Sequence, residues 1–331
     1  MGTMAGVIRG WRQAPVRHYV MELVLIALCC FLAVRAQGFL TRDNVLNVLR
    51  AVSMQGIIAF GMTMVIIAGE IDLSVGSAVA FSGCLCAWCV EFLVGHGIAP
   101  AVAVAVAIPV SLVAGCGVGA LTGLLRVRYR VPTFISTLAW LTVLKGAAEL
   151  ITNGFPLTPF PDWFNFIGGG HVWGAPFPAL VFIAVFIAIH VTMHRTAFGR
   201  AIYAVGGNLE AARLSGVPVG AVKIKVLAVV GMLAALSGVM QASQIMSGSA
   251  TTAQGWELDV ISAVIIGGTS LMGGAGTVRG TLVGVVFLGV LVNGMTLMNV
   301  SEYWQHVVRG ALILAAVLLN LAPSRARRDS A

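Results

Sequence analysis

The sequence predicts an all-α protein: a polytopic transmembrane helical bundle of about ten spanning helices, forming one permease domain over residues 1–331. Three observations carry that prediction. Hydrophobic residues make up 59% of the chain and charged residues 10%, against about 25% charged in an ordinary soluble domain, so there is too little polar surface to face water. Apolar runs of the roughly 20 residues that a spanning helix needs recur from end to end. Lysine and arginine gather in alternate gaps between those runs.

In order, the runs fall near 19–35, 51–69, 71–94, 98–125, 131–151, 177–193, 222–246, 258–274, 278–299 and 303–321. The first also fits a secretory leader, with a basic start and Val34-Arg35-Ala36 after it, but its length and the arginine before the cleavage point favour a span. Between the first and second runs, Asn44 can cap a short helix whose Val45, Leu46, Val48, Leu49 and Val52 suit a position in the membrane interface. Glu70-Ile71-Asp72 separates the second and third runs. Two readings stand for it: a capped turn in which Gly69 ends one span and Asp72 caps the next, or a re-entrant turn at the gate of a translocation path, formed by Asp72, Leu73, Ser74, Gly76 and Ser77.

The loop 152–176 holds Pro156, Pro159, Pro161, Trp163, Trp173, Pro176 and three consecutive glycines, so it cannot be one continuous helix. Its aromatics either anchor at headgroup level or meet a docking partner. Lys145 and Glu149 are one helical turn apart and are expected to neutralise one another; lining a polar pathway is the other reading. Arg309, inside the last run, is expected to snorkel or to find a carboxylate such as Glu302. Between the eighth and ninth runs, Gly273-Gly274-Ala275-Gly276 reads as a tight interhelical turn; a half-spanning or broken helix is the other reading there, as it is between the second and third runs. The likeness of Val65–Gly69 (VIIAG) to Val264–Gly268 (VIIGG) hints at an internal repeat.

With a cytoplasmic N-terminus and ten spans, fifteen of the 20 lysines and arginines fall inside, at 9–17, 126–130, 195–225, 279 and 325–328. Arg35, Arg42 and Arg50 fall outside, and Lys145 and Arg309 lie within spans. That bias places both termini in the cytoplasm and the loop 152–176 outside. The net charge of +8 is therefore a topology signal, and no nucleic-acid partner is expected.

The chain is expected to be neither an enzyme nor a cofactor carrier. Cys29, Cys30, Cys84, Cys86, Cys89 and Cys116 all lie in apolar stretches with no histidine close by, so core packing rather than a metal site is expected. The six histidines are scattered, H-E-x-x-H does not occur, and no G-x-x-x-x-G-K-[ST] phosphate loop is present, so ATP hydrolysis is not expected of this chain.

The most informative connection is the inside loop 194–225. In Gly206-Gly207-Asn208-Leu209-Glu210-Ala211-Ala212-Arg213-Leu214-Ser215-Gly216-Val217-Pro218, Asn208 is a good N-cap, Glu210 sits in the first turn, Gly216 suits the position just past the helix, and Pro218 stops continuation. A helix of about two turns follows, isolated between two spans. So short a helix is marginal in water and needs something to pack against. Either its own domain or a partner's groove can serve.

Glu210-Ala211-Ala212-x-x-x-Gly216 is similar to the cytoplasmic EAA loop of ABC importer permeases, which plugs into the ATP-binding subunit, although the Leu-Pro that usually follows is absent. Gly61-Met62-Thr63-Met64-Val65-Ile66 with Ile71-Asp72-Leu73-Ser74-Val75-Gly76-Ser77, Tyr203-Ala204-Val205-Gly206-Gly207-Asn208, Glu257-Leu258-Asp259-Val260 through Ser270, and Gly273-Gly274-Ala275-Gly276 resemble the ribose/arabinose-type monosaccharide permeases in that family's order, from about residue 40 to 320. The resemblance implies a homodimeric permease of the bacterial cytoplasmic membrane, an ABC ATP-binding subunit, a periplasmic sugar-binding protein and a monosaccharide in transit, with a pentose such as ribose or arabinose as the family default. It assigns Asn208, Glu210, Ala211, Ala212, Arg213, Leu214, Ser215 and Gly216 to the ATPase-coupling helix. An ion-coupled secondary transporter of a small polar solute is the rival reading, and it would need acidic residues deep in the bundle. An intramembrane enzyme is a third, without a convergent catalytic set to support it.

Overall fold

The computed structural model of the chain describes residues 20–328. Arg9, Arg12 and Arg17 lie outside that range, and the side chains of Arg325, Arg327 and Arg328 are likewise outside the description. The helices are α1 (Val20–Arg35), α2 (Arg42–Ile67), α3 (Val75–Gly95), α4 (Pro100–Arg128), α5 (Thr133–Thr152), α6 (Asn165–Gly169), α7 (Phe177–Arg195), α8 (Ala197–Gly207), α9 (Leu209–Leu214), α10 (Val219–Ile245), α11 (Trp256–Ile266), α12 (Val278–Leu297) and α13 (Glu302–Arg328). A two-residue hairpin, β1 (His171–Val172) with β2 (Ala175–Pro176), interrupts the loop before α7.

Seven of the described helices (α2, α3, α4, α5, α7, α10 and α12) are long and apolar enough to cross a membrane. Two expected elements are redrawn. Asn44 does not cap a separate interfacial helix: α2 is one 26-residue helix capped by Thr41, whose hydroxyl accepts from the Asn44 N–H. Nothing between Leu49 and Gly56 breaks it, and Val52, Met54, Ile57 and Ile58 are buried in sequence. The Asn44 amide instead exchanges hydrogen bonds with Asn293 of α12 at 3.0 and 2.7 Å. The run 258–274 is not a span either. Its helix, α11, has 11 residues, about 16 Å, half the roughly 30 Å of a hydrocarbon core. Gly268, with φ +87°, ends it.

Small residues bring α4 and α10 together. Gly115, Gly119 and Gly123 recur every fourth residue along one stripe of α4, against Gly231, Leu227 and Ile224 of the antiparallel α10. A methyl at Gly119 would overlap the Leu227 carbonyl, so the backbones touch, as in membrane helices joined by small-x-x-x-small stripes. α2 is buried along most of its length, from Ser53 to Ile67, and forms the centre of the main apolar cluster with α7, α10 and α12. Cys84, Cys86 and Cys89 of α3 are buried, the latter two in a second apolar cluster.

The two ends of the bundle differ. At one end lie the α2–α3 turn containing Glu70, the α4–α5 turn, α8, α9 and the α11–α12 turn. At the other, the loop 153–176 folds down onto the end of α10: Phe160 and Phe164 stack with centroids 4.2 Å apart, Asn165 donates to the Ser243 carbonyl at 3.2 Å, and Leu157 pairs with Gly248. The loop's aromatics divide accordingly, Phe164 buried and Trp173 fully exposed at the hairpin tip.

Candidate functional site

Two broken segments meet at mid-height of the bundle. After α2, residues 70–74 have no regular structure, yet Glu70, Asp72 and Ser74 are all buried. Irregular backbone at membrane depth is tolerated only under such cover. Asp72 Oδ1 accepts from the Ser74 N–H at 2.8 Å and the Ser74 hydroxyl at 2.6 Å. The N-cap position of α3 is therefore Ser74 and not Asp72, which closes an Asx turn two residues upstream. Gly238, in the far half of α10, closes on Val79, while Gly248 beyond α10 closes on Cys84 and Ala87. Thus α3 runs parallel to the far half of α10 and starts near the middle of the bundle.

The second break enters from the opposite end. Met246, Ala253 and Gly255 take left-handed backbone conformations, and the chain between them descends along α3 to where α11 begins. The two helix starts touch at Gly76. A methyl there would overlap the Glu257 carboxylate and lie 2.9 Å from the Ala253 carbonyl.

Beside this junction is a cavity of about 190 Å³. Its polar lining comes from Ser77 of α3, Lys145 of α5, Thr252 and Gln254 of the second break, and Glu257 of α11. The expected pairing of Lys145 with Glu149 is corrected: no ion pair joins them within 4.0 Å among the described residues, and Lys145 turns to the cavity. Arg309 finds a carboxylate, as expected, but on a different residue. In place of Glu302 it donates to both oxygens of Asp259, at 3.0 and 3.3 Å, because α13 passes alongside the first turn of α11.

At the near end, Glu70 is the hub of an ion cluster. Arg126 of α4 donates through Nε at 2.9 Å, and Lys223 of α10 and Thr133 of α5 both donate to the same carboxylate. Glu70 and Lys223 are 5% and 7% exposed. Burial pushes the Glu70 carboxyl up, but the hydrogen bonds from Lys223, Thr133 and Arg126 outweigh it and hold the group below the usual carboxylate range.

The helix expected at 208–216 is α9. Asn208 Oδ1 accepts from the Ala211 N–H at 2.9 Å, Ser215 closes the helix, and Gly216 follows with φ +79°. Only Ala212 of its six residues is buried; Leu209, Glu210, Ala211 and Arg213 are exposed, and Leu214 is 87% exposed. The helix is not isolated, as expected, but leans on α8, an 11-residue amphipathic helix. In turn α8 rests backbone to backbone on the bundle. A methyl on Gly206 would overlap the Ile67 carbonyl, the acceptor of a 2.9 Å hydrogen bond from the Gly274 N–H. Tyr203 donates to the Gly276 carbonyl at 2.8 Å. The exposed helix is thus tied through α8 to the end of α2 and to the α11–α12 turn, the roots of both broken segments.

The VIIAG and VIIGG likeness has a local cause, since each is a buried helix end closed by a left-handed glycine, Gly69 at φ +77° and Gly268 at φ +87°. The partners of Glu70 and the carboxylate that faces Lys145 escaped the sequence analysis, which offered only a polar pathway as the second reading of Lys145. For the cavity, the available signal was the rule that ionisable residues at membrane depth are functional by default.

A family profile described as "Branched-chain amino acid transport system / permease component" matches residues 44–317. The chain is 40% identical over 317 residues to the ribose import permease protein RbsC of Escherichia coli (strain K12), covering 93% of this chain and 96% of the relative. It is 37% identical to the L-arabinose ABC transporter permease protein AraH of Azospirillum brasilense, over 92% of this chain and 88% of the relative. It is 33% identical to the xylose transport system permease protein XylH of Escherichia coli (strain K12), over 97% and 96%. No solved structure matches.

Proposed function

The chain belongs to the branched-chain amino acid transport system / permease component family, and from that premise we propose that it is the membrane-spanning subunit of an ATP-driven importer of a monosaccharide, with a pentose as the cargo. Relatives named for ribose, arabinose and xylose support the cargo class. The subunit performs no covalent chemistry; a separate ABC ATPase hydrolyses ATP, and a periplasmic binding protein delivers the sugar. Two copies of the permease form the path.

The observation that carries this reading is α9, a capped helix with one buried residue and an apolar tip, Leu214, left bare. One side of this six-residue helix is held by α8; the bare side, with Leu214 at its tip, fits a groove in the ATPase. Closure of the ATPase pushes α9, α8 passes the push to Ile67 and Gly274, and the turn at Asp72, Leu73, Ser74, Gly76 and Ser77 acts as the gate. Nine described basic residues (Arg126, Arg128, Arg130, Arg195, Arg200, Arg213, Lys223, Lys225 and Arg279) lie at the α9 end, against Arg35, Arg42 and Arg50 at the other. That bias supports a cytoplasmic α9 end in a bacterial inner membrane, with both termini inside. The second copy is supported by α5, whose Thr142, Lys145 and Glu149 form one exposed stripe. Each charge turned to lipid would cost about 2.5–3.5 kcal/mol, so a partner or a water path covers it.

Replacing Glu210 with Arg and Gly216 with Val in the assembled complex tests the coupling role. Sugar uptake and sugar-stimulated ATP hydrolysis are expected to fall together, by about tenfold or more for loss of a 1.4 kcal/mol contact. Full coupling in a stably assembled complex would refute it. Uptake that persists without an ATPase and collapses with an ionophore would instead establish an ion-coupled transporter.

A further inference from the structure

We infer that the mid-height cavity beside Gly76 is a sugar-hydroxyl site on the translocation path, with Glu257 and Lys145 as its two charged contacts and Ser77, Thr252 and Gln254 as neutral ones. The inference rests on the importer reading above and adds a named site to it.

Position comes first. The cavity lies where both broken helices start, the one level of the bundle reached by irregular chain from each end. Breaks of this kind at the midplane mark substrate sites in membrane transporters. A volume of about 190 Å³ is on the scale of a small ring rather than of a water or a lipid chain.

Chemistry sets the ligand class. The lining holds one cation and one anion facing the same space, with two hydroxyls and one amide between them. A net anion would meet Glu257 and a net cation Lys145, so a neutral molecule rich in hydroxyls fits the balance. Adjacent hydroxyls of a pentose can donate one to each oxygen of the Glu257 carboxylate, while another hydroxyl accepts from Lys145; hydrogen bonds to charged groups are the strong ones. Glu257 is already seated, since its carboxylate packs against Gly76 in the first turn of α3. Its salt-bridged neighbour Asp259 is committed to Arg309 and Gln55 and is not available to a ligand. Nothing comparable engages Lys145, which has no ion-pair partner among the described residues.

The test uses the complete complex, permease with its ATPase and sugar-binding protein, in proteoliposomes. It compares Glu257→Gln, Lys145→Met and the single-oxygen deletion Ser77→Ala with the unmodified chain. The readout is pentose moved per ATP hydrolysed, with D-ribose, L-arabinose and D-xylose as probes. A site built for hydroxyls loses transport when a partner is removed, so the ratio is expected to fall by about tenfold for Glu257→Gln and Lys145→Met and by about threefold for Ser77→Ala. The three pentoses are expected to be affected unequally, because they present their hydroxyls differently. Ser77→Ala keeps the test open should either charge variant fail to assemble. A ratio within twofold of the unmodified complex for every assembled variant, with pentose still imported, overturns the site alone. Absence of ATP-dependent pentose uptake in the unmodified complex, or leucine carried in its place, overturns both this site and the importer reading.

Discussion

Glutamine at position 70 would leave Lys223 buried without its counter-ion, and removing one member of such a pair costs about 3–5 kcal/mol. Glu70→Gln is therefore expected to lower the melting temperature of the purified protein in detergent by several degrees, and an unchanged melt would show that the hub is decorative. Acid should mimic the substitution. The folded-state pKa of Glu70 lies below the value in the unfolded chain, so the hub stabilises fully above the ordinary carboxylate range and is lost as pH falls through the folded value. The melting gap between the parent and Glu70→Gln is expected to narrow on acidification. At this scale the sequence was least legible. Glu70 and Lys223 stand 153 positions apart, and no spacing rule links them; Lys145 and Glu149, at a textually suggestive spacing of four, do not pair, because cavity and neighbouring helices decide where a long side chain points.

Among elements, those defined by local chemistry were legible. For α9, cap, first-turn acid and stop signals all lie within a dozen residues, and each does in the fold what its type dictates. Asn208→Ala is expected to remove about 1 kcal/mol of cap stabilisation. Amide hydrogen exchange at Ala211 and Ala212 in the free permease should speed up by about fivefold, while Asn208→Asp, which keeps the accepting oxygen, should not. Equal exchange in both variants would separate the helix from its cap. The half-length α11 was one of two readings that the sequence left open, because hydropathy counts apolar residues and does not see that Gly267-Gly268 releases the helix halfway. Helix α8 was missed for the opposite reason: its polar face made it look like loop, and its apolar face has meaning only against the ends of α2 and α11.

For the whole molecule, the class of fold followed from a composition with 10% charged residues together with the recurring apolar runs of spanning length and the alternation of basic gaps. The proposed pairing of two copies was less visible, because it depends on what α5 leaves uncovered. Thr142→Cys, made in a chain with Cys30 replaced by serine, is expected to form a disulfide between two copies under mild oxidation, and the native mass of the complex should contain two permeases. A single-copy mass with no cross-link would mean that water alone covers the Thr142–Lys145–Glu149 stripe.

Ile67 closes α2, takes a hydrogen bond from Gly274 of the turn between α11 and α12, and sits against the bare backbone of Gly206. Three parts of the chain share that one carbonyl with no side chain as spacer. A hinge pin common to two doors has no play; under the proposed coupling, a load applied at α8 is expected to reach both halves of the barrier together.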